Sequence, residues 1–135
     1  MTTIFSKIIA GEIPSTKIYE DDVCIVILDI APMNKGHALV IPREGWPTVG
    51  DCPASVFSHL MEVARKVDAR LREVLKADAT NILINNGPAA GQEVPHLHIH
   101  VIPRFVQDGL RLSVAKQSFQ MQEMESYGKR LSFNT

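Results

Sequence analysis

The chain has 135 residues, of which 45% are hydrophobic and 21% charged, with a formal net charge of −1. That length and balance suit one globular domain with a core of its own. Near-neutral charge leaves no electrostatic footprint for nucleic acid or an anionic membrane, and no apolar run approaches the ~18 residues of a membrane-spanning helix.

In chain order, Ile4, Phe5, Ile8 and Ile9 recur at helical spacing and predict a short N-terminal helix. Residues 17–20 read as an edge strand and residues 23–28 as a buried strand, with Glu20-Asp21-Asp22 as the turn between them. Residues 38–41 form another strand, stopped by Pro42. Residues 44–53 hold Pro47, Gly50 and Pro53 and read as loop. The clearest helix covers residues 55–76, where Val56, Leu60, Val63, Val67, Leu71 and Val74 make one stripe. His59 lies within it and reads as a surface or half-buried helix residue. A strand at 81–84 leads into a Gly-containing loop, and residues 96–102 form the last strand. Residues 118–131, with Phe119, Met121, Met124 and Tyr127, carry a weaker helical stripe. The pattern predicts an α+β domain over 1–135: an antiparallel sheet with one long helix packed on it and a short N-terminal helix. Residues 1–7 lack the apolar core of a secretion signal. Cys24 sits in an apolar run and Cys52 has no motif partner, so a reducing cytoplasm is the expected compartment.

The last strand carries the most chemistry. His96, His98 and His100 alternate with Leu97, Ile99 and Val101. On a strand, alternate residues share a face, so the three imidazoles line one side about 6–7 Å apart. Packing alone gives no reason for such a row. Neutral imidazoles suit zinc, copper, iron or nickel, and they also suit nucleophilic and acid–base work at a phosphate. The strand alone leaves the two close to even. The loop before it, residues 85–95, favours phosphate. Gly91 allows close backbone approach, exposed N–H groups in such a turn bind anions, and Asn85 and Gln92 add neutral donors. No cysteine or carboxylate cluster stands nearby to complete a metal shell, apart from Glu93.

Gly91-Gln92-Glu93-Val94-Pro95-His96-Leu97-His98-Ile99-His100-Val101-Ile102-Pro103-Arg104 resembles the signature of the histidine-triad (HIT) nucleotide hydrolases, of Hint or Fhit type. Ile4 to Ile9 with Glu12-Ile13-Pro14 resembles the family's opening, and Asp29-Ile30-Ala31-Pro32 with Gly36-His37-Ala38-Leu39-Val40-Ile41-Pro42 resembles the first half of its nucleotide site. The likeness runs from about residue 3 to 104 and leaves 105–135 as an unmatched tail. It implies a two-step reaction on a purine nucleotide conjugate. His98 would attack the α-phosphorus, a covalent nucleotidyl-histidine would form, and water would hydrolyse it. His100 and His37 match positions that contact the phosphate, and His96 one that orients rather than reacts. Asn85, Gly91 and Gln92 match the loop lining phosphate and sugar. Asp29 suits a ribose diol, while Phe5, Ile8, Ile13, Leu28 and Ile30 resemble an apolar base pocket. The resemblance also implies a homodimer joined sheet edge to sheet edge, and no cofactor.

The chain departs from the family pattern in three ways. Glu93 stands where many members carry Ser or Thr, and a carboxylate beside a phosphate repels it unless protonated, paired or turned away. Thr3 and Ser6 stand where some bacterial relatives carry a zinc-binding Cys-x-x-Cys, so neither a structural zinc nor a metal requirement is expected. Trp46 and the tail leave substrate choice open. His100 in the third triad position, rather than Gln, resembles hydrolases rather than nucleotidyltransferases. Three alternatives stand beside the phosphoramidase or acyl-adenylate reading: a dinucleoside polyphosphate hydrolase resembling the Fhit branch, a non-catalytic nucleotide-binding or interaction module, and a metalloprotein using the three histidines.

Overall fold

A computed structural model describes residues 2–112 and 115–134. Helix α1 (Ile4–Ile9) is followed by strands β1 (Lys17–Glu20), β2 (Cys24–Leu28) and β3 (Ala38–Pro42), the long helix α2 (Ala54–Leu75), strands β4 (Ala79–Leu83) and β5 (Ile99–Arg104), and helix α3 (Met121–Leu131). The strands form one antiparallel sheet in the order β1-β2-β3-β5-β4. This is the expected α+β architecture. Among the described residues no helix is long and apolar enough to cross a membrane.

Alternation along the central strands assigns the two faces. Cys24 and Val26 of β2, Ala38 and Val40 of β3, and Ile99 and Val101 of β5 pack with Leu60, Val63, Ala64, Val67 and Leu71 of α2. The alternate residues Ile25, Ile27, Leu39 and Ile41 pack with Phe5 of α1. Because both faces are covered, β2 and β3 read as continuous apolar runs. The α2 stripe is buried at its centre and frays at its end, where Val74 is 55% exposed. Leu60→Ala is expected to cost about 2–5 kcal/mol, since Leu60 is fully buried and its neighbours can only partly collapse. Urea unfolding of the two proteins measures it.

Several boundaries differ from the sequence reading. Pro42 belongs to β3, paired with Cys24. Strand β5 begins at Ile99, not His96. Pro95 has no N–H, His96 donates its own to Val94 O, and Leu97 donates to the Trp46 carbonyl at 2.7 Å rather than into the ladder. The loop at 44–53 contains a 3₁₀ turn, Val49–Asp51. Helix α3 starts at Met121 and has no buried residue.

His59 does more than sit on a helix surface. Its Nε2 donates to Asp21 Oδ2 at 2.6 Å, which ties α2 to the β1–β2 turn. Asp21 also accepts from the backbone N–H of Val23 and Cys24 and from the Tyr19 hydroxyl.

Candidate active site

The histidines gather on the α1 face of the sheet. His100 is the register partner of Leu39, whose side chain belongs to that face. His37 stands just before β3 and meets His100 with ring centroids 5.1 Å apart. His98 meets His100 at 4.9 Å and the edge of Phe5 at 4.9 Å, and Phe5 also meets His96 at 5.7 Å. His37, His96 and His98 are buried.

Hydrogen-bond partners fix which nitrogen of each ring carries the proton. His96 Nε2 lies 2.8 Å from Pro42 O, an acceptor only, so Nε2 is protonated and Nδ1 takes the Thr3 hydroxyl at 2.9 Å. His98 Nδ1 lies 2.8 Å from the His96 carbonyl, so Nδ1 is protonated and Nε2 keeps its lone pair. The backbone N–H of Met33 donates to His37 Nδ1 at 3.1 Å, which leaves the His37 proton on Nε2. That proton points at His100 Nδ1, 2.9 Å away, and therefore puts the His100 proton on Nε2. His100 Nε2 is the one buried side-chain polar atom without a hydrogen-bond partner among the described residues. The site thus holds a free lone pair on His98 beside a free donor on His100.

Burial keeps these rings neutral. It lowers the pKa of His37, His96 and His98, with neighbouring Asp29 opposing the shift at His37 and His98 and the Pro42 carbonyl opposing it at His96. His100 is pushed down to about 4 by burial first and then by His98 and His37. A depressed folded-state pKa makes the unfolded chain bind more protons between the two values. For His100 that stability is complete above pH 6.5 and is lost as pH falls through about 4. The other three rings act in the same direction. The melting temperature is expected to fall as pH is lowered from 6.5 towards 4. Thermal scans across that range measure it, and a flat profile would contradict the neutral-histidine cluster.

The remaining expected site residues separate into groups. Asp29 lies beside His37, its Oδ2 3.7 Å from His37 Nε2 and its Oδ1 accepting the Ala31 N–H at 2.9 Å. Ile8 and Ile13 are half-buried, and Ile8 packs against the α1-side core with Phe5. Ile30 is 97% exposed. Leu28 is a correction: alternation along β2 turns it to the α2 face, away from the histidines, where it packs on that core. In the loop, Asn85 is half-buried and Glu93 exposed. Gly91 adopts φ +90°. Its N–H and those of Ala90 and Gln92 bond to Pro88 and Gly87 carbonyls within the loop, which corrects the expected anion cradle at this turn. Gln92 stitches the loop, accepting from Gly87 N–H and donating to the Pro47 and Val94 carbonyls.

Three features have roles that the sequence does not show. Thr3 and the Met33 N–H set histidine tautomers. Arg104, the last signature residue, forks onto Asp108 at 2.8 and 3.0 Å and also reaches Asn81 and Leu110. It pins the segment after β5 rather than facing the histidines.

The donor sets argue against a metal in each candidate place. Within the triad only His98 Nε2 and His100 Nε2 stay free of hydrogen bonds to described residues. Thr3 and Ser6 offer hydroxyls bonded to each other's backbone instead of thiolates, so they do not fit zinc. Asp21, Cys24 and His59 come within 4.8 Å of one another, but burial pushes the Cys24 thiol up to about 12 and the Asp21 carboxylate is already hydrogen-bonded. Asp29, His37 and His100 also come within 4.8 Å, with the His37 proton already between the two rings. Two surface grooves of about 710 and 770 Å³ lie along α2 instead. In the first, Arg65 and Arg72 are paired with Glu62 and Asp68.

Known proteins resemble this chain over most of its length. The model of the HIT domain matches residues 10–107. Adenylylsulfatase HINT3 of Arabidopsis thaliana is 43% identical over 107 residues, 79% of this chain and 54% of that protein. The chain therefore spans about half the length of that relative. Adenosine 5′-monophosphoramidase HNT1 of Saccharomyces cerevisiae is 43% identical over 101 residues, 75% of this chain and 61% of that protein. The crystal structure of a HIT-family member from Bacillus subtilis superposes with a TM-score of 0.86 at 35% identity, covering 99% of this chain and 100% of that one. With the domain matched over most of its length and the triad in place, the chain belongs to the histidine-triad (HIT) family.

Proposed function

We propose that this protein is a nucleotide hydrolase that cleaves adenosine monophosphate from a small amine or acyl leaving group through a nucleotidyl-histidine intermediate on His98. The observation that carries the reading is the His98 tautomer. With Nδ1–H held by the His96 carbonyl, Nε2 presents a lone pair to an incoming phosphorus. Attack by Nε2 forms a P–N bond in line with the bond that breaks, and the leaving amine departs with the electron pair and takes up a proton from solvent. His100 Nε2–H, with no partner of its own, donates to a non-bridging phosphate oxygen as charge shifts onto it. Water then attacks the same phosphorus, the P–N bond to His98 breaks, AMP leaves, and the water proton passes to solvent. Asp29 accepts from the ribose hydroxyls. Glu93 is exposed, and a carboxylate near the leaving group would favour a cationic amine.

The names of the two relatives, a phosphoramidase and an adenylylsulfatase, both describe AMP joined to a small group, which supports this reading over a dinucleoside polyphosphate hydrolase. We further place the protein in the reducing cytoplasm, where Cys24 and Cys52 stay free, as a homodimer paired across an exposed sheet edge. Hydrolysis of adenosine 5′-phosphoramidate and diadenosine triphosphate, compared side by side with EDTA present, tests the function. The expected result is EDTA-resistant turnover with the higher kcat/KM for the amide. Preference for the dinucleotide supports the Fhit-like alternative, and turnover of neither supports a binding module.

A further inference from the structure

We propose that Thr3, the N-cap of α1, is a positioning residue for the nucleophile. Its hydroxyl anchors the His96 ring, and the His96 carbonyl fixes the tautomer of His98. The inference rests on His98 being the nucleophile. Thr3 and His96 lie 93 residues apart in sequence, and both are buried. The Thr3 hydroxyl accepts the Ser6 N–H at 3.1 Å, so its own proton is free for His96 Nδ1 at 2.9 Å. The Ser6 hydroxyl completes the box, accepting the Thr3 N–H at 2.7 Å and donating to Thr3 O at 2.8 Å. His96 is thus held at both nitrogens, by Thr3 and by Pro42 O.

That anchoring matters because this stretch of backbone lies outside the strand. Residues 96–98 precede β5, the N–H groups of His96 and Leu97 go to Val94 O and Trp46 O, and the buried Leu97 side chain packs on the α2 side, away from the histidine rings. A freed His96 ring would leave Nδ1 as a buried acceptor without a donor, which favours a flip or a shift of the segment. The carbonyl that receives His98 Nδ1–H moves with it. Phe5 adds a second link, since it stands on the same helix and packs edge-on against both rings. The short first helix therefore acts as a rack for the catalytic imidazole, with a hydroxyl where some relatives carry a cysteine.

The test uses full-length protein with ¹⁵N-labelled histidine. Imidazole nitrogen shifts report the His98 tautomer without substrate, and kcat and KM on adenosine 5′-phosphoramidate report its consequence. Thr3→Val removes the donor at nearly constant shape. It is expected to mix the His98 tautomers and to lower kcat about tenfold with KM nearly unchanged. Thr3→Ser restores the hydroxyl and both readouts. Ser6→Ala weakens the same helix cap without touching His96, so it lowers the melting temperature while His98 keeps a single Nδ1–H tautomer. Wild-type tautomer and kcat in Thr3→Val would overturn the proposal, as would equal effects of Thr3→Val and Ser6→Ala on kcat. If Thr3→Val does not fold, mixed His98 tautomers in the wild type overturn it and a single Nδ1–H tautomer supports it. Absence of turnover in the wild type would sink the nucleophile reading instead, and the imidazole shifts still decide the anchoring.

Discussion

Substituting alanine for His98 is expected to lower kcat on adenosine 5′-phosphoramidate by on the order of 10⁴-fold or more, while AMP still binds. The magnitude follows from the chemistry. Without Nε2 the reaction must use water directly, and no other ring nitrogen in the triad has a free lone pair. His96 uses both nitrogens, and His100 Nδ1 receives the His37 proton. Binding should survive because Asp29 and the His100 donor remain. Steady-state rates and AMP titration, each beside a melting curve to confirm folding, check the expectation. Residual activity within tenfold of wild type would mean that His98 does not make the bond.

His100→Leu is the second large effect, expected at about 10²–10³ in kcat, the usual cost of losing one charge-stabilising donor. His100 Nε2–H is buried and unpartnered, an arrangement that costs stability and is retained when a ligand supplies the acceptor. The loss should appear in kcat more than in KM, because the phosphate oxygen gains charge as the transition state forms. The same variant removes the acceptor of His37 Nε2–H, so His37 is left facing Asp29, 3.7 Å away. The wild-type rate should hold at pH 6.5 and fall on the acid side, since burial keeps the His98 pKa below its ordinary value.

Much of the fold and the site is legible in the sequence because it is local. The period of two in the triad separates the faces there, β2 and β3 stand out as unbroken apolar runs, and the period near 3.6 in α2 marks the helix that covers one side of the sheet. The row of histidines marks the candidate site by its alternation alone. What the sequence hides depends on partners far away along the chain. Trp46 takes Leu97 out of the ladder and delays β5 to Ile99. Thr3 reaches His96, and His59 reaches Asp21 across the β1–β2 turn. Leu28 is easily misplaced although its parity is available, because an apolar residue beside Asp29 suits a base pocket as well as a core. Gly91 suggests a loop open towards an anion, yet the turn it permits closes its neighbours' N–H groups onto Gly87 and Pro88.

The most direct test of the mechanism is the mass of the protein during turnover. The enzyme is mixed with adenosine 5′-phosphoramidate, quenched in alkali because a histidine P–N bond breaks in acid, and digested for mapping. A single adenylyl group on the peptide containing His98 is the expected result, absent from His98→Ala. An adduct on any other residue, or no adduct while the burst of amine release is complete, would contradict a covalent intermediate on His98.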